Sequence, residues 1–259
     1  KRSPLSLVQR IQAIPGVDKV EARVVAYVNL DVAGYREPVS GHLLSLSDGS
    51  RGLLNQLYLL CGRFFEPCLD SEVLLSEEFA NAHDLRPGDS LHATINGRRK
   101  RLTVVGLALS PEYIYQIAPG AVFPDKHRYG VLWMARQPLA IAYDMDCSFN
   151  NVTLTLAAGG NAQDVIDRLD ELLGPYGVIG AYARKDQLSN RFLSEELKQQ
   201  KTIATVFPII FFGVASFLLN VVTSRLIRLE REQIAGLKAF GYSNYAVGLH
   251  YIKLVLLVV

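Results

Sequence analysis

Residues 202–224 read TIATVFPIIFFGVASFLLNVVTS and contain no charged side chain. As a helix, these 23 residues would extend roughly 34 Å, which exceeds the ~30 Å hydrocarbon core of a bilayer. The run is too long and too far along the chain to be a secretory signal peptide. It predicts a transmembrane helix that separates the mostly polar residues 1–201 from a short basic segment.

The segment that follows this run is basic. Its cations are Arg225, Arg228, Arg231 and Lys238. By the positive-inside rule they place residues 224–246 in the cytoplasm and residues 1–201 outside the inner membrane. Cations also precede the run, but a long domain is translocated largely regardless of its charge. A second apolar run, IKLVLLVV, begins after Tyr251, so residues 246–259 are expected to begin the next span.

Composition and charge argue against some classes of function. The chain has 259 residues and a net charge of +2, which argues against nucleic-acid binding because no extended basic stripe is present. The basic cluster at 98–101 follows Asn96-Gly97, a type I′ hairpin signal, and is interpreted as a solvated turn. Cys61, Cys68 and Cys147 have no metal-binding spacing. A Cys61–Cys68 bridge stays open, while three buried thiols are the favoured state.

Hydrophobic periodicity predicts an α+β fold for the polar part. The expected strands are 17–32, 42–46, 72–76, 90–95, 101–109, 129–134, 151–157 and 177–183, with a turn at Asp48-Gly49; the expected helices are 4–13, 77–83 and 161–173, the last with Asn161 as N-cap. The stretch 111–150 is otherwise expected to be rich in loops. Residues 151–183 are expected to form a strand, a helix and a second strand. The helix–Pro-Gly–strand pattern of 4–32 matches the last two of these elements, so we expect the missing first strand just upstream of Lys1.

Two helical segments flank the apolar run. The polar stretch 187–201 has no breaker before the run begins, so one continuous helix is expected to leave the outer domain and enter the membrane. Pro208 and Gly213 are candidate kink sites, and Asn220 is interpreted as a helix–helix contact rather than part of a transport path. After the run, an apolar arc from Leu226 to Phe240 predicts an amphipathic helix that ends at Gly241. Such a helix fits either the headgroup layer of the membrane or a cytoplasmic partner.

The exact residues of this second helix resemble a known family. The run RLIRLEREQIAGLKAFGYS at 225–243 closely resembles the cytoplasmic loop of FtsX-like (MacB-type) ABC transporter permeases. The resemblance implies an ATPase-coupling loop formed by Arg225, Arg228, Glu230, Arg231, Glu232, Ile234, Leu237, Lys238, Ala239, Gly241 and Ser243. Gln233 interrupts the usual adjacent Glu-Ile pair of the pattern.

The outer part resembles the periplasmic core domain of the same family. The matching segments are 57–63, EVLLS at 72–76, LRPGD at 85–89 and LTVVG at 102–106, in the family's order. The resemblance implies a MacB-like periplasmic domain with porter-like β-α-β halves and an inserted β-rich subdomain, attached to transmembrane helices. The expected division is 1–40 and 148–186 for the porter-like halves, 41–147 for the insert, 187–224 for stalk and span, 225–245 for the coupling loop and 246–259 for the next span. A first span is expected upstream of Lys1.

Motifs for catalysis are not found in the sequence. It contains no GxxxxGK[ST], HExxH, GxSxG or CxxC pattern, so ATP hydrolysis is expected in a separate subunit and no cofactor is expected. The five histidines are scattered and are interpreted as surface or loop residues. Asp144 and Asp146 beside Cys147 lack a fourth ligand for a cation.

The resemblance implies the permease subunit of an ABC transporter that transmits ATPase-driven motion to a periplasmic domain. Its expected partners are a cytoplasmic ATPase, a second permease copy or paralogue, the lipid bilayer and a periplasmic protein, with no nucleic acid. The exported or released substrate (a lipoprotein, a peptide or another molecule) is not specified by the fold. An alternative is a membrane-anchored sensor or binding module that performs no transport.

Overall fold

The computed structural model describes residues 1–47, 52–67 and 69–258. The chain divides into two compact units, residues 1–195 and 196–259. The strands are β1 Ser3–Pro4, β2 Val17–Arg23, β3 Val25–Asp31, β4 Val39–Leu46, β5 Tyr58–Gly62, β6 Glu72–Ser76, β7 Ser90–Ile95, β8 Arg98–Leu109, β9 Tyr129–Ala135, β10 Ser148–Phe149 and β11 Asn151–Leu156. The α-helices are α1 Leu7–Gln12, α2 Glu77–Ala82, α3 Arg136–Ala142, α4 Ala162–Leu173, α5 Leu188–Leu229, α6 Arg231–Ala239 and α7 Asn244–Val258. The α+β class expected from the sequence is confirmed.

A seven-stranded sheet forms the larger part of the first unit. Its strand order is β5-β8-β6-β9-β4-β3-β7, and β8 also pairs with β7, so the sheet closes on itself. The β7–β8 hairpin turns through Asn96 and Gly97, whose φ angles are 46° and 76°, as the type I′ turn requires. β9 is buried along its whole length, because apolar clusters cover both faces of the sheet.

A two-stranded sheet of β2 and β11 forms the smaller part of the first unit. Helices α1 and α4 cover it, and Leu7, Ile11, Val165 and Leu169 form much of their shared core. The N-cap prediction for α4 is confirmed, since the side chain of Asn161 accepts a hydrogen bond from the Gln163 N–H.

The single strand expected over 17–32 is wrong, because it is two strands in two different sheets. The break is at Val24, which is fully buried and exchanges hydrogen bonds with Ser45: the Val24 N–H donates to the Ser45 hydroxyl, and the Ser45 N–H donates to the Val24 carbonyl. β3 then pairs with β4 and β7 in the large sheet. Residues 25–31, which the expected division assigned to the first porter-like half, therefore share a sheet with the segment expected to be inserted.

Other expectations differ from the structure in local detail. Residues 177–183 form no strand, helix α1 is shorter than the predicted 4–13, and α3 lies within a stretch expected to be loop-rich. Cys61 and Cys147 are exposed rather than buried, so the expectation of buried thiols is wrong for these two. Cys68 and the predicted Asp48-Gly49 turn lie outside the described residues.

The second unit is built of helices, and α5 contains the apolar run. As predicted, the polar segment before the run and the run itself form one helix of 42 residues that continues through Pro208. Among the described residues, α5 is the one helix long and apolar enough to cross a membrane by length and composition. Within it, the Ser224 hydroxyl donates a hydrogen bond to the side-chain oxygen of Asn220 over 3.2 Å.

Candidate functional site

The predicted coupling loop contains a short helix, α6, which lies between α5 and α7 in the chain. Arg225 and Arg228 lie in the last turns of α5, which ends at Leu229. Glu230 separates α5 from α6, with φ of −90° and ψ of 14°. The single amphipathic helix expected here is therefore two helices, and the predicted apolar arc is divided between them.

The coupling segment, residues 225–243, presents its charges to solvent. The exposed members are Arg225, Arg228, Arg231, Glu232 and Lys238. Within the described part of the chain these five form no ion pair. Their side chains are therefore available to a charged partner surface.

The apolar residues of the same segment are partly buried. Ile234 and Leu237 of α6 are half-buried, whereas Ala239 is exposed. Helix α6 contacts α7, in which Val247 and Tyr251 are buried. The predicted apolar side of α6 therefore contributes to packing within this unit. The charged side of the same helix faces solvent.

A Schellman motif ends α6 at Gly241. The Gly241 N–H donates to the Lys238 carbonyl over 3.0 Å, and the Tyr242 N–H donates to the Leu237 carbonyl over 3.2 Å. This pair of bonds needs a left-handed residue after the helix, and Gly241 has φ of 90°. Ser243 then caps α7 through a 3.2 Å hydrogen bond from the Ala246 N–H to its hydroxyl. The glycine and serine of the predicted set thus define the turn between two helices.

A buried polar cluster, which the sequence did not indicate, lies in the first unit around Arg23 and Glu112. Arg23 Nη1 lies 2.6 Å from Glu112 Oε2, and Nη2 lies 2.9 Å from Oε1. Asn151 of β11 accepts from Arg23 over 2.8 Å, and Asn55 donates to Glu112 over 3.0 Å. Burial alone would raise the pKa of Glu112, but the hydrogen bonds and charge of Arg23 hold this pKa below its ordinary value.

The polar cluster continues into the first turns of α5. The Gln187 amide donates to the Glu112 carbonyl over 2.9 Å, and the Tyr115 N–H donates to the Ser189 hydroxyl over 3.0 Å. Ser189 is buried, and the rings of Tyr115 and Phe192 lie 6.1 Å apart. The segment 112–115 therefore ties the start of α5 to the strands β2 and β11.

His42 lies beside this cluster and is buried, so its expected surface position is wrong. The Tyr113 hydroxyl oxygen and His42 Nε2 lie 3.2 Å apart and share a hydrogen bond. Burial first, and the nearby Arg23 second, lower the pKa of His42 to about 4. The imidazole is therefore neutral at pH 7. No group of three or more His, Cys, Asp or Glu residues suited to a metal ion occurs among the residues that the structure describes.

Comparison with known proteins gives likeness in structure but not in sequence. No protein-family model matches the chain, and no curated protein matches it. The extracellular domain of the noncanonic ABC-type transporter YknZ from Gram-positive bacteria is similar over 70% of this chain and 87% of that one, at 13% identity and a TM-score of 0.45. The periplasmic region of MacB from Actinobacillus actinomycetemcomitans is similar over 66% and 74%, at 14% identity and a TM-score of 0.41.

Proposed function

We propose that this chain is the permease subunit of an FtsX/MacB-type ABC transporter, in which a separate cytoplasmic ATPase binds the coupling segment. The observation that carries the proposal is the geometry of residues 225–243. An exposed charged helix directly follows the apolar helix α5, and a Schellman turn at Gly241 fixes where it ends. A partner that binds α6 therefore acts on an element covalently continuous with the apolar run.

The hydrogen bonds at the start of α5 support the proposal that motion is transmitted to the first unit. Gln187 and Ser189 bond to the backbone of the segment 112–115. The same segment holds Arg23 and, through it, Asn151. A displacement of the first turns of α5 would therefore be passed to β2 and β11 through hydrogen bonds rather than through a free linker.

The proposed setting is the bacterial inner membrane, with residues 1–201 outside and the coupling segment in the cytoplasm. The support is the apolar run of α5 and the basic residues at its end. The proposed partners are the ATPase subunit, a second permease copy or paralogue, and a periplasmic protein. In a dimer of two permease copies, the paired α5 helices would have two arrangements. ATP would favour one arrangement from the cytoplasmic end, and the substrate, a lipoprotein or a peptide, would act on the same equilibrium from the outer end.

The test uses the proposed permease in membranes together with its cognate ATPase subunit. Glu232→Lys reverses one exposed charge of α6, and we expect at least a tenfold loss of ATPase binding, measured by co-purification at several salt concentrations. The matched control is Glu171→Lys, which reverses an exposed glutamate on helix α4 of the first unit. Equal binding by the wild type and both variants, together with unchanged ATP hydrolysis, would contradict the coupling role and favour an anchored binding module.

A further inference from the structure

A cavity of about 550 Å³ lies in the first unit, at one edge of the large sheet. The parallel strands β6 and β8 end there at Ser76 and Leu109, and the antiparallel strand β5 begins there at Tyr58. Cavities that bind small molecules have volumes of roughly 300–1,000 Å³. This cavity is therefore large enough to take a small-molecule ligand.

The walls of the cavity are mainly apolar and aromatic. Tyr58, Leu109 and Ile114 line it, and all three are exposed to solvent. Trp133 of β9 is buried and forms part of the lining as well. Large apolar side chains around an open cavity favour an apolar or aromatic ligand, because binding removes their surfaces from water.

The buried polar side chains of the lining bond to other groups of the protein. Ser76 and Gln116 are buried, and the Ser76 hydroxyl donates to the side-chain oxygen of Gln116 over 2.8 Å. The same hydroxyl accepts a hydrogen bond from the Val131 N–H over 3.4 Å. The Ser76 hydroxyl is therefore satisfied within the protein, and this part of the lining does not require a polar ligand.

One carboxylate gives the cavity its charge. Glu78, in the first turn of α2, is the one charged side chain among the described residues that line the cavity. It belongs to none of the ion pairs found in the described part of the chain. Partial burial first and the adjacent Glu77 second raise the pKa of Glu78, while Lys126 acts in the opposite direction. A ligand cation beside this carboxylate would favour its charged form, so the cavity complements a cationic group.

The segment 110–116 connects the cavity to the start of α5. Most of its residues line the cavity, namely Ser110, Pro111, Tyr113, Ile114 and Gln116. The Glu112 carbonyl instead accepts a hydrogen bond from the Gln187 amide over 2.9 Å. The Tyr115 N–H donates to the Ser189 hydroxyl over 3.0 Å. A ligand that contacts the cavity side of this segment therefore acts on the groups that attach α5 to the first unit.

We propose that this cavity binds a small amphiphilic cation, with its apolar or aromatic body against Tyr58 and Ile114 and its cationic group beside Glu78. The bound ligand holds the segment 110–116 in one position and so restricts the start of α5. The second statement deepens the proposed function and rests on it, because a ligand here would act on the equilibrium of α5 from the outer side. Binding in the cavity does not depend on that function.

Two fluorescent probes of opposite charge test the ligand class. Dansylcadaverine and dansyl-6-aminohexanoate carry the same fluorophore on the same alkyl chain, which ends in an ammonium group in the first and a carboxylate in the second. Energy transfer from Trp133, the single tryptophan, reports binding to the full chain in lipid nanodiscs, and the Trp133→Phe chain gives the background. We expect the cationic probe to bind roughly tenfold or more tightly than the anionic one, as a charge-assisted contact implies.

Variants of the lining separate the effect of the charge from that of the apolar wall. Glu78→Gln keeps the shape of the side chain and should weaken binding of the cationic probe by roughly tenfold, without weakening the anionic probe. The matched control, Glu77→Gln, removes a charge from the same turn of α2 and should change both affinities less than about threefold. Tyr58→Ala should weaken both probes to a similar extent, because they share this wall. Urea midpoints close to that of the wild type check that each variant is folded.

Three results would overturn the site. Equal affinity of the wild type for the two probes, or an equal loss with Glu78→Gln and Glu77→Gln, would overturn the cationic ligand class. Energy transfer that does not exceed the Trp133→Phe background with either probe would overturn the cavity as a binding site.

Amide exchange at Tyr115 tests the connection to α5. Saturating dansylcadaverine should slow this exchange severalfold, because the ligand contacts the neighbours of Tyr115 in the cavity while the Tyr115 N–H bonds to Ser189. An unchanged exchange rate would overturn the connection. These outcomes are distinct from failure of the proposed function, since probe binding is measured without the ATPase and Glu232→Lys tests the ATPase contact separately.

Discussion

Arg23 and Glu112 form a two-pronged ion pair, with 2.6 and 2.9 Å between their nitrogen and oxygen atoms, although 89 positions separate them in the sequence. Only 6% and 11% of their side-chain surfaces are exposed. A guanidinium and a carboxylate that meet in this planar geometry fix orientation as well as charge. The pair therefore sets the position of the segment 112–115, which contacts the start of α5.

Removing one partner of this pair should destabilise the first unit strongly. Glu112→Ala leaves the Arg23 guanidinium buried and unpaired, and we expect a loss of about 3–5 kcal/mol in the free energy of unfolding. Urea unfolding followed by the fluorescence of Trp133, the single tryptophan, measures this loss, because Trp133 is buried in β9. Asp31→Ala, which breaks the exposed Arg99–Asp31 pair, is the control and should cost less than about 1 kcal/mol. Equal losses in the two variants would contradict a structural role for Arg23–Glu112.

The burial of His42 should make stability depend on pH between about 4 and 6.5. The folded protein holds the pKa of His42 at about 4, so below pH 6.5 the unfolded chain binds a proton that the folded chain does not. The free energy of unfolding should therefore fall as the pH decreases from 6.5 to 4, by about 3 kcal/mol from this group.

The His42 variant isolates this contribution from the other groups. Glu112, whose lowered pKa removes stability at still lower pH, and the tyrosines Tyr27 and Tyr113 face the same ring. His42→Gln keeps a side chain that can form a hydrogen bond with the Tyr113 hydroxyl but does not titrate. Urea midpoints at a series of pH values should show a shallower dependence in this variant, and parallel curves for variant and wild type would refute the assignment.

Ser189 should determine how firmly the start of α5 is attached to the first unit. Ser189→Ala leaves the Tyr115 N–H without its 3.0 Å acceptor, which we expect to cost about 1–3 kcal/mol locally. Amide exchange at Tyr115 should accelerate by roughly tenfold or more. Ser194→Ala, a half-buried serine farther along α5, should leave that exchange rate unchanged. If the proposed function holds, Ser189→Ala should retain ATPase binding while transport per ATP decreases.

The turn at Gly241 should tolerate no side chain without strain. Gly241 has φ of 90°, a conformation that costs an L-residue roughly 1–2 kcal/mol. Gly241→Ala should therefore loosen the end of α6 and lower the affinity for the proposed ATPase partner severalfold. The matched control is Gly236→Ala within α6, where an added Cβ meets open space and alanine favours the helix. If Gly236→Ala weakens binding more than Gly241→Ala, the partner does not recognise the geometry of the turn.

Local patterns predicted the elements whose stability is itself local. The Asn96-Gly97 turn, the Asn161 cap and the continuity of α5 are all confirmed. Each depends on residues within a few positions of one another, so sequence periodicity and turn chemistry are sufficient. The coupling segment stays a prediction, because its role depends on a partner.

The sequence by itself determined the apolar helix, the basic segment after it and the positions of most strands, because hydrophobic period and turn residues act over short distances. Only the tertiary structure decided that β3 pairs within the large sheet, that His42 is buried and that Arg23 meets Glu112. These outcomes join residues distant in the chain, and their free energies come from pairing and desolvation that no local window contains. The segment 177–183 shows the same limit: its sequence pattern predicted a strand, but it forms none, because a strand also needs a partner for its backbone groups.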